Sequence, residues 1–253
     1  MLTPEQRSVL AAMTVTVAGA GGRGGFAVNG LVRLGVGRVR VIDFDRFDAS
    51  NLNRQLFSAL DSIGRGKAET VAAGAAAITG ETVVEPIAER LSEGSADRLL
   101  GGSGIVFDCL DSAGDKLLLE RWCVAHAVPM IHGAVGGWYG QAALIEGRAI
   151  LGGVYADVSD GGCCEDRADD EPNGYLSGGG VSNSAENNCD GDGVTALPET
   201  GDDRGSVANA VFLPQAVSAM QLALCVRKVS GIAEANTLYL LDMRAMEMSA
   251  VRL

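Results

Sequence analysis

The strongest constraint in this chain is a glycine-rich turn set between two short apolar runs near its start. Val15 to Ala18 alternates small and β-branched residues, which reads as a short buried strand. Gly19, Gly21, Gly22 and Gly24 follow as G-x-G-G-x-G. A turn of this kind brings the backbone close to a nucleotide's phosphates and presents them to the first N–H groups of a helix. That helix is expected from Gly24 to Leu34, where Phe26, Ala27, Leu31 and Leu34 recur at helical spacing and Gly35 stops it. A second strand over Arg38–Ile42 ends in Asp43, 24 residues after Gly19, where a carboxylate can accept hydrogen bonds from a ribose. This much selects a Rossmann-like α/β half that binds a nucleotide. It does not decide between a dinucleotide and another nucleotide.

The residues after Asp43 narrow the choice. Asp45, Asn51, Arg54, Gln55 and Lys67 are strung along the next turn and helix, placing two cations and an amide donor where a pyrophosphate would lie. That is equipment for chemistry at a phosphate rather than for hydride transfer. With D-x-D (43–45), S-N-L-x-R-Q (50–55), G-x-x-K (64–67) and a later D-x-x-D (108–111), the chain resembles the ThiF/MoeB/HesA family. These relatives of the ubiquitin-activating enzymes adenylate the C-terminal glycine of ubiquitin-like sulfur carriers. The five motifs stand in the family's order and at its spacing, and the likeness runs from about residue 3 to 253.

The resemblance implies a mostly parallel sheet flanked by helices, with an antiparallel C-terminal extension. It implies a single domain over 1–253, with a nucleotide-binding half (14–135) and a carrier-docking half (136–253). ATP is expected on Gly19, Gly21, Gly22 and Gly24, its ribose on Asp43, with Asp45, Asn51, Arg54, Gln55 and Lys67 around the phosphates. Asp111 matches the family's magnesium-contacting aspartate, although two carboxylates at 108 and 111 could also simply cap the following helix. Arg54, Lys67, Asp111 and a loop cysteine, Cys189 among the candidates, are the residues expected to carry the chemistry. The expected partners are a carrier ending in Gly-Gly and a second copy of the chain. Arg23 replaces the leucine usual in the family's glycine motif, and could pack along the surface or face the phosphates. Arg7 matches an N-terminal arginine that reaches the partner subunit's nucleotide, or is a solvated helix charge.

Composition bounds the rest. At 253 residues the chain can bury a substantial core. There is no apolar run near 18 residues and no secretory pattern at the N-terminus, so neither a membrane span nor a leader is expected. Six scattered cysteines (109, 123, 163, 164, 189, 225) suit a reducing cytoplasm. None forms C-x-x-C, which argues against the four-cysteine zinc site many family members carry. The net charge of −12 lies entirely between Asp157 and Asp203, with 13 acidic residues against Arg167. No basic patch emerges, so nucleic acid is not an expected partner. The same segment has nine glycines and few apolar residues, and is expected to be a mobile crossover loop carrying Cys163, Cys164 and Cys189.

Further helices are expected from Thr3 to about Met13, Gly66–Ile78, Ala113–Ala125 and Val207–Val229, the last kinked or split at Pro214. Strands are expected at Thr82–Pro86, Gly104–Phe107, Pro129–His132, Gln141–Ile145, Thr237–Asp242 and Met246–Leu253. His132 and His126 are the only histidines, without metal-ligand spacing, and His132 reads as structural. Lys67 in a first helical turn opposes the helix dipole and needs an anion, which a bound phosphate would supply, unless it is a solvated surface lysine. Two rival functions share the fold: an ATP-dependent dehydratase acting on a tRNA nucleoside, and a non-catalytic carrier-binding adapter. A dehydrogenase stands further off.

Overall fold

A computed structural model describes residues 2–155 and 211–253. The glycine turn sits in the middle of an eight-stranded sheet ordered β3-β2-β1-β4-β5-β6-β7-β8. The strands are β1 (Thr14–Ala18), β2 (Arg38–Ile42), β3 (Val83–Ile87), β4 (Ile105–Asp108), β5 (Met130–Gly136), β6 (Tyr139–Ile145), β7 (Thr237–Asp242) and β8 (Glu247–Arg252). The first five in sheet order are parallel, and β6, β7 and β8 extend the sheet antiparallel. The mostly parallel sheet with an antiparallel extension is the architecture expected from the sequence.

The period-2 pattern of the strands explains the layers. Val15 and Val17, Val39 and Val41, Ile105 and Phe107, and Ala142 and Leu144 face one core, shared with α2 (Gly22–Arg33), α3 (Lys67–Ala76) and α7 (Phe212–Val229). The residues between them, Ala18, Ile42, Val106, Met130, Ala143 and Ile145, face a second core under α4 (Ala96–Leu100), α5 (Ala113–Ala125) and α6 (Leu151–Val154). Each fully buried side chain of this size contributes roughly 1.5–3 kcal/mol. A one-residue slip of β1 or β4 would exchange the two cores, so register is strongly specified.

The N-terminal helix α1 (Pro4–Ala12) starts with the expected capping box: Gln6 N–H donates to Thr3 Oγ1, and Thr3 N–H donates to Gln6 Oε1. Pro214 lies in the first turn of α7, which runs without a break from Phe212 to Val229. Residues 207–210, where the expected helix would begin, lie outside the described residues. The short helices α4 and α6 were not expected, being too short to show a helical period. The acidic segment 157–203, with Cys163, Cys164 and Cys189, lies outside the described residues. Among the described residues no helix is long and apolar enough to cross a membrane.

Candidate active site

Strand order reverses at β1, with β2 and β3 on one side and β4 and β5 on the other. Loops leaving the carboxyl ends of neighbouring strands diverge there and leave a crevice, the usual ligand position in open α/β sheets. A cleft of about 210 Å³ occupies it, lined by Gly19 and Gly21 after β1, Asp43 to Asp45 after β2, and Glu89 to Leu91 after β3. Cys109 to Ser112 after β4, with Asp115 and Lys67, complete the lining.

Glycine is required at two points of the turn. Gly19 has φ +93°, and a side chain there would meet the Cys109 carbonyl at 2.5 Å. A Cβ on Gly24 would lie 1.8 Å from the Gly19 carbonyl oxygen. The turn is anchored from β2: Asp43 accepts from Ala20 N–H at 2.7 Å and from Asp45 N–H at 2.8 Å. Burial raises the Asp43 pKa while these amides pull it back down.

Of the residues singled out from sequence, Gly19, Gly21, Asp43, Asp45, Lys67 and Asp111 line the cleft together. Gly22 and Gly24 form the first turn of α2 behind it. Lys67 opens α3, and its Nζ lies 3.1 Å from Asp45 Oδ2, so a carboxylate of the chain itself supplies the anion its position demands. Asp111 projects into solvent, one oxygen 3.3 Å from the Arg23 guanidinium.

The 50s loop stands beside the cleft rather than in its lining. Asn51 is buried and accepts the Asp48 N–H, closing a capping box on a single 3₁₀ turn. Arg54 donates to the Ser50 carbonyl and to Asn53. Gln55 packs under the glycine turn, near the space a Gly21 side chain would take, with its Oε1 unpartnered among the described residues. Arg90 lies over the Phe44 ring at 5.2 Å to the centroid, and both residues line the cleft. Cys189 lies outside the described residues.

Beneath the cleft is a polar cluster that sequence reasoning missed. Asp108, fully buried at the end of β4, accepts from Lys116 Nζ at 3.1 Å and from His132 Nδ1 at 2.6 Å, and its Oδ1 also caps the turn through Leu110 N–H. Gln141 Nε2 lies 3.1 Å from His132 Nε2; with the amide as donor, the imidazole is neutral and carries its proton on Nδ1, facing Asp108. Burial alone would raise Asp108; the Lys116 charge and the His132 hydrogen bond outweigh it and hold the carboxylate well below the usual range. Burial pushes Lys116 down to about 8 and His132 down to about 4, in both cases against the pull of Asp108. Burial likewise pushes the Cys109 thiol up to about 12, so it is not a nucleophile at neutral pH. Signs of this cluster were present in α5: Lys116 shares the stripe of Leu119, Glu120 and Cys123, the face that is buried. His132 is structural, as expected; Asp108 does order the turn, and also carries the cluster.

Asp111 was expected to be a magnesium ligand. Magnesium is commonly held by one or two carboxylates with substrate phosphates completing the shell. A solvated carboxylate on the wall of a glycine-turn cleft suits that pattern, and the described residues offer no cluster of three His, Cys, Asp or Glu to hold a metal by themselves.

Comparison with known proteins identifies the family and the fold. The SAMP-activating enzyme E1 of Haloferax volcanii is 35% identical over 139 residues, 55% of this chain and 52% of that one. The molybdopterin-synthase adenylyltransferase of Salmonella typhimurium is 31% identical over 144 residues, 57% and 58% respectively. The tRNA threonylcarbamoyladenosine dehydratase of Bacillus subtilis is 34% identical over 119 residues, 47% of each. The chain spans about half the length of the curated relatives it matches. A crystal structure of Escherichia coli MccB with ATP superposes over 98% of this chain and 65% of that one, with a TM-score of 0.69 at 15% identity, a likeness of fold. Residues 2–253 match the ThiF family, and the chain belongs to it.

Proposed function

We propose that this chain is an ATP-dependent adenylyltransferase that activates the C-terminal carboxylate of a small ubiquitin-like carrier protein ending in Gly-Gly. The observation that supports it is the meeting of the glycine turn, Lys67 and Asp111 on one cleft at the strand-order reversal. In this reading the parallel half binds ATP and the antiparallel half docks the carrier, in a homodimer. The relatives named as adenylyltransferases point the same way.

The Gly19–Gly24 turn and the N-terminus of α2 receive the phosphates, and Asp43 takes the ribose. The carrier's carboxylate is ionised at neutral pH and attacks the α-phosphorus without a general base. The α–β phosphoanhydride bond breaks, pyrophosphate leaves with the electron pair, and an acyl-adenylate forms. Lys67 moves from Asp45 to the phosphates, and together with Arg54 offsets the charge growing on the pyrophosphate. Asp111 would hold magnesium, which when bound would supply further charge compensation. Catalysis therefore rests on positioning and electrostatics. Incubation with ATP and candidate carriers, followed by intact mass, tests the reading: a carrier gaining one AMP is the expected result. No pyrophosphate exchange with any Gly-Gly carrier would sink it.

The dehydratase relatives support one alternative, ATP-dependent dehydration of a modified tRNA nucleoside. Salt-dependent binding of tRNA in place of carrier adenylation would favour it.

A further inference from the structure

Arg23 is a cation in an adverse place. It lies in the first turn of α2, where the helix dipole opposes positive charge, and the residue is only 4% exposed. An apolar side chain would fill the same space without the desolvation cost of a guanidinium. What holds the charge is a fan of oxygen acceptors. Arg23 donates to the Leu110 carbonyl at 2.6 Å, to the Gly133 carbonyl, and to Asp111 Oδ1 at 3.3 Å. Its own carbonyl accepts from Ser218 Oγ on α7 at 2.8 Å. Lys116 donates to the same Gly133 carbonyl at 2.9 Å. The guanidinium therefore ties three elements, α2, β5 and the turn after β4, at the wall of the cleft where Asp111 stands.

We propose that Arg23 is a positioning residue that fixes the Leu110–Asp111 turn, and so places the Asp111 carboxylate over the phosphate cleft. The planar fork is what this task needs. It reaches two backbone carbonyls and a carboxylate from donors spread in a fixed plane, whereas the three donors of an ammonium radiate from one atom on a flexible stem. Asp111 is otherwise fully solvated, and nothing else among the described residues bonds its side chain. Without Arg23 the turn keeps the Asp108 cap on Leu110 N–H but loses its tie to β5, and the carboxylate is free to swing away from the cleft.

The inference rests on the adenylation reading only in taking magnesium–ATP as the ligand. Its test is binding, not turnover, on the full chain. The magnesium concentration giving half-maximal ATP binding is measured by calorimetry for wild type, Arg23→Leu, Asp111→Asn and the double variant. Arg23→Leu is expected to raise that concentration about tenfold, the size of effect seen when a group orienting a metal ligand is removed. In the Asp111→Asn background the same change should add almost nothing, because the group it positions is gone. A residue that only supported the fold would lower the unfolding midpoint and shift binding equally in both backgrounds. Arg23→Lys, which keeps the charge without the fork, covers the case in which Arg23→Leu does not fold. It is expected to give a smaller rise, again only when Asp111 is present. Additive effects of the two sites, with normal magnesium–ATP binding by wild type, would overturn the role of Arg23 and leave adenylation standing. Wild type that binds no magnesium–ATP would instead overturn the adenylation reading itself, and Arg23's role with it.

Discussion

Two lysine–aspartate pairs stand within one site at the same 3.1 Å separation, Lys67 with Asp45 on the rim of the cleft and Lys116 with Asp108 beneath its floor. Half of the Asp45 side chain is open to solvent, while Asp108 is wholly buried and Lys116 nearly so. Distance is thus equal, and the environments differ mainly at the carboxylate, since Lys67 is itself largely buried, with 11% of its side chain exposed against 3% for Lys116. On the rim, water reaches the Asp45 carboxylate, so another anion can take its place beside Lys67. In the floor, both charges have already left water, and each tolerates burial only because the other is there. In the adenylation we propose, the same two residue types serve as a movable phosphate ligand in one place and a fixed support in the other.

The sharpest break of this comparison is Lys116→Ala. It leaves Asp108 charged, buried and held only by His132 and Leu110 N–H, and removal of one partner from a buried pair costs about 3–5 kcal/mol. Urea unfolding of the variant should show a loss of that size. A loss below about 1 kcal/mol would mean that the floor is far better hydrated than its geometry indicates.

Acid tests the same floor through His132. The folded pKa, about 4, lies below the unfolded value near 6.5, so the unfolded chain binds the proton first. Stability from this group is complete above about 6.5 and is lost as pH falls toward 4, for a total of roughly 3 kcal/mol. Unfolding midpoints across that window, compared between wild type and His132→Asn, isolate it from the surface carboxylates. Parallel curves would show that His132 is not held neutral.

The contrast between rim and floor is also a contrast in what could be read from the chain. The rim is made of sequence-local motifs: the glycine turn, D-x-D, and a lysine at the head of a helix, each meaningful at short range. Six of its residues were singled out from these motifs and the family resemblance they carry, and they do share the cleft. The floor is assembled from β4, α5, β5 and β6, at separations no motif records. Asp108 and His132 drew notice singly, and Lys116 passed as an ordinary helix residue because its partner is contributed by another element. Arg23 was undecidable for the same reason: the Gly133 carbonyl that receives it is 110 residues away.

Rim chemistry is tested by Lys67→Ala. Loss of one preorganised charge contact to the phosphates should lower pyrophosphate exchange about a hundredfold, on the order of 3 kcal/mol. The fold should be unaffected, since only an exposed partner is left behind. An exchange rate near wild type would remove Lys67 from the phosphates and leave it a surface helix charge.

The smallest expected effect sharpens the comparison most. Asp45→Asn breaks the rim pair as surely as Lys116→Ala breaks the floor pair, at the same starting distance. Lys67 then keeps its charge at the head of α3, where the dipole opposes it, with only 11% of its side chain open to water. The Lys67 N–H still donates to the Asp45 carbonyl at 2.8 Å, so the backbone of the turn is not released. The change in unfolding free energy should be about 1–2 kcal/mol, between the roughly 0–1 kcal/mol of a fully exposed pair and the roughly 3–5 kcal/mol of a broken buried one. A loss of several kcal/mol, insensitive to salt, would show that the rim lysine is a structural strut like its buried counterpart, and that it is not free to leave Asp45 for a phosphate.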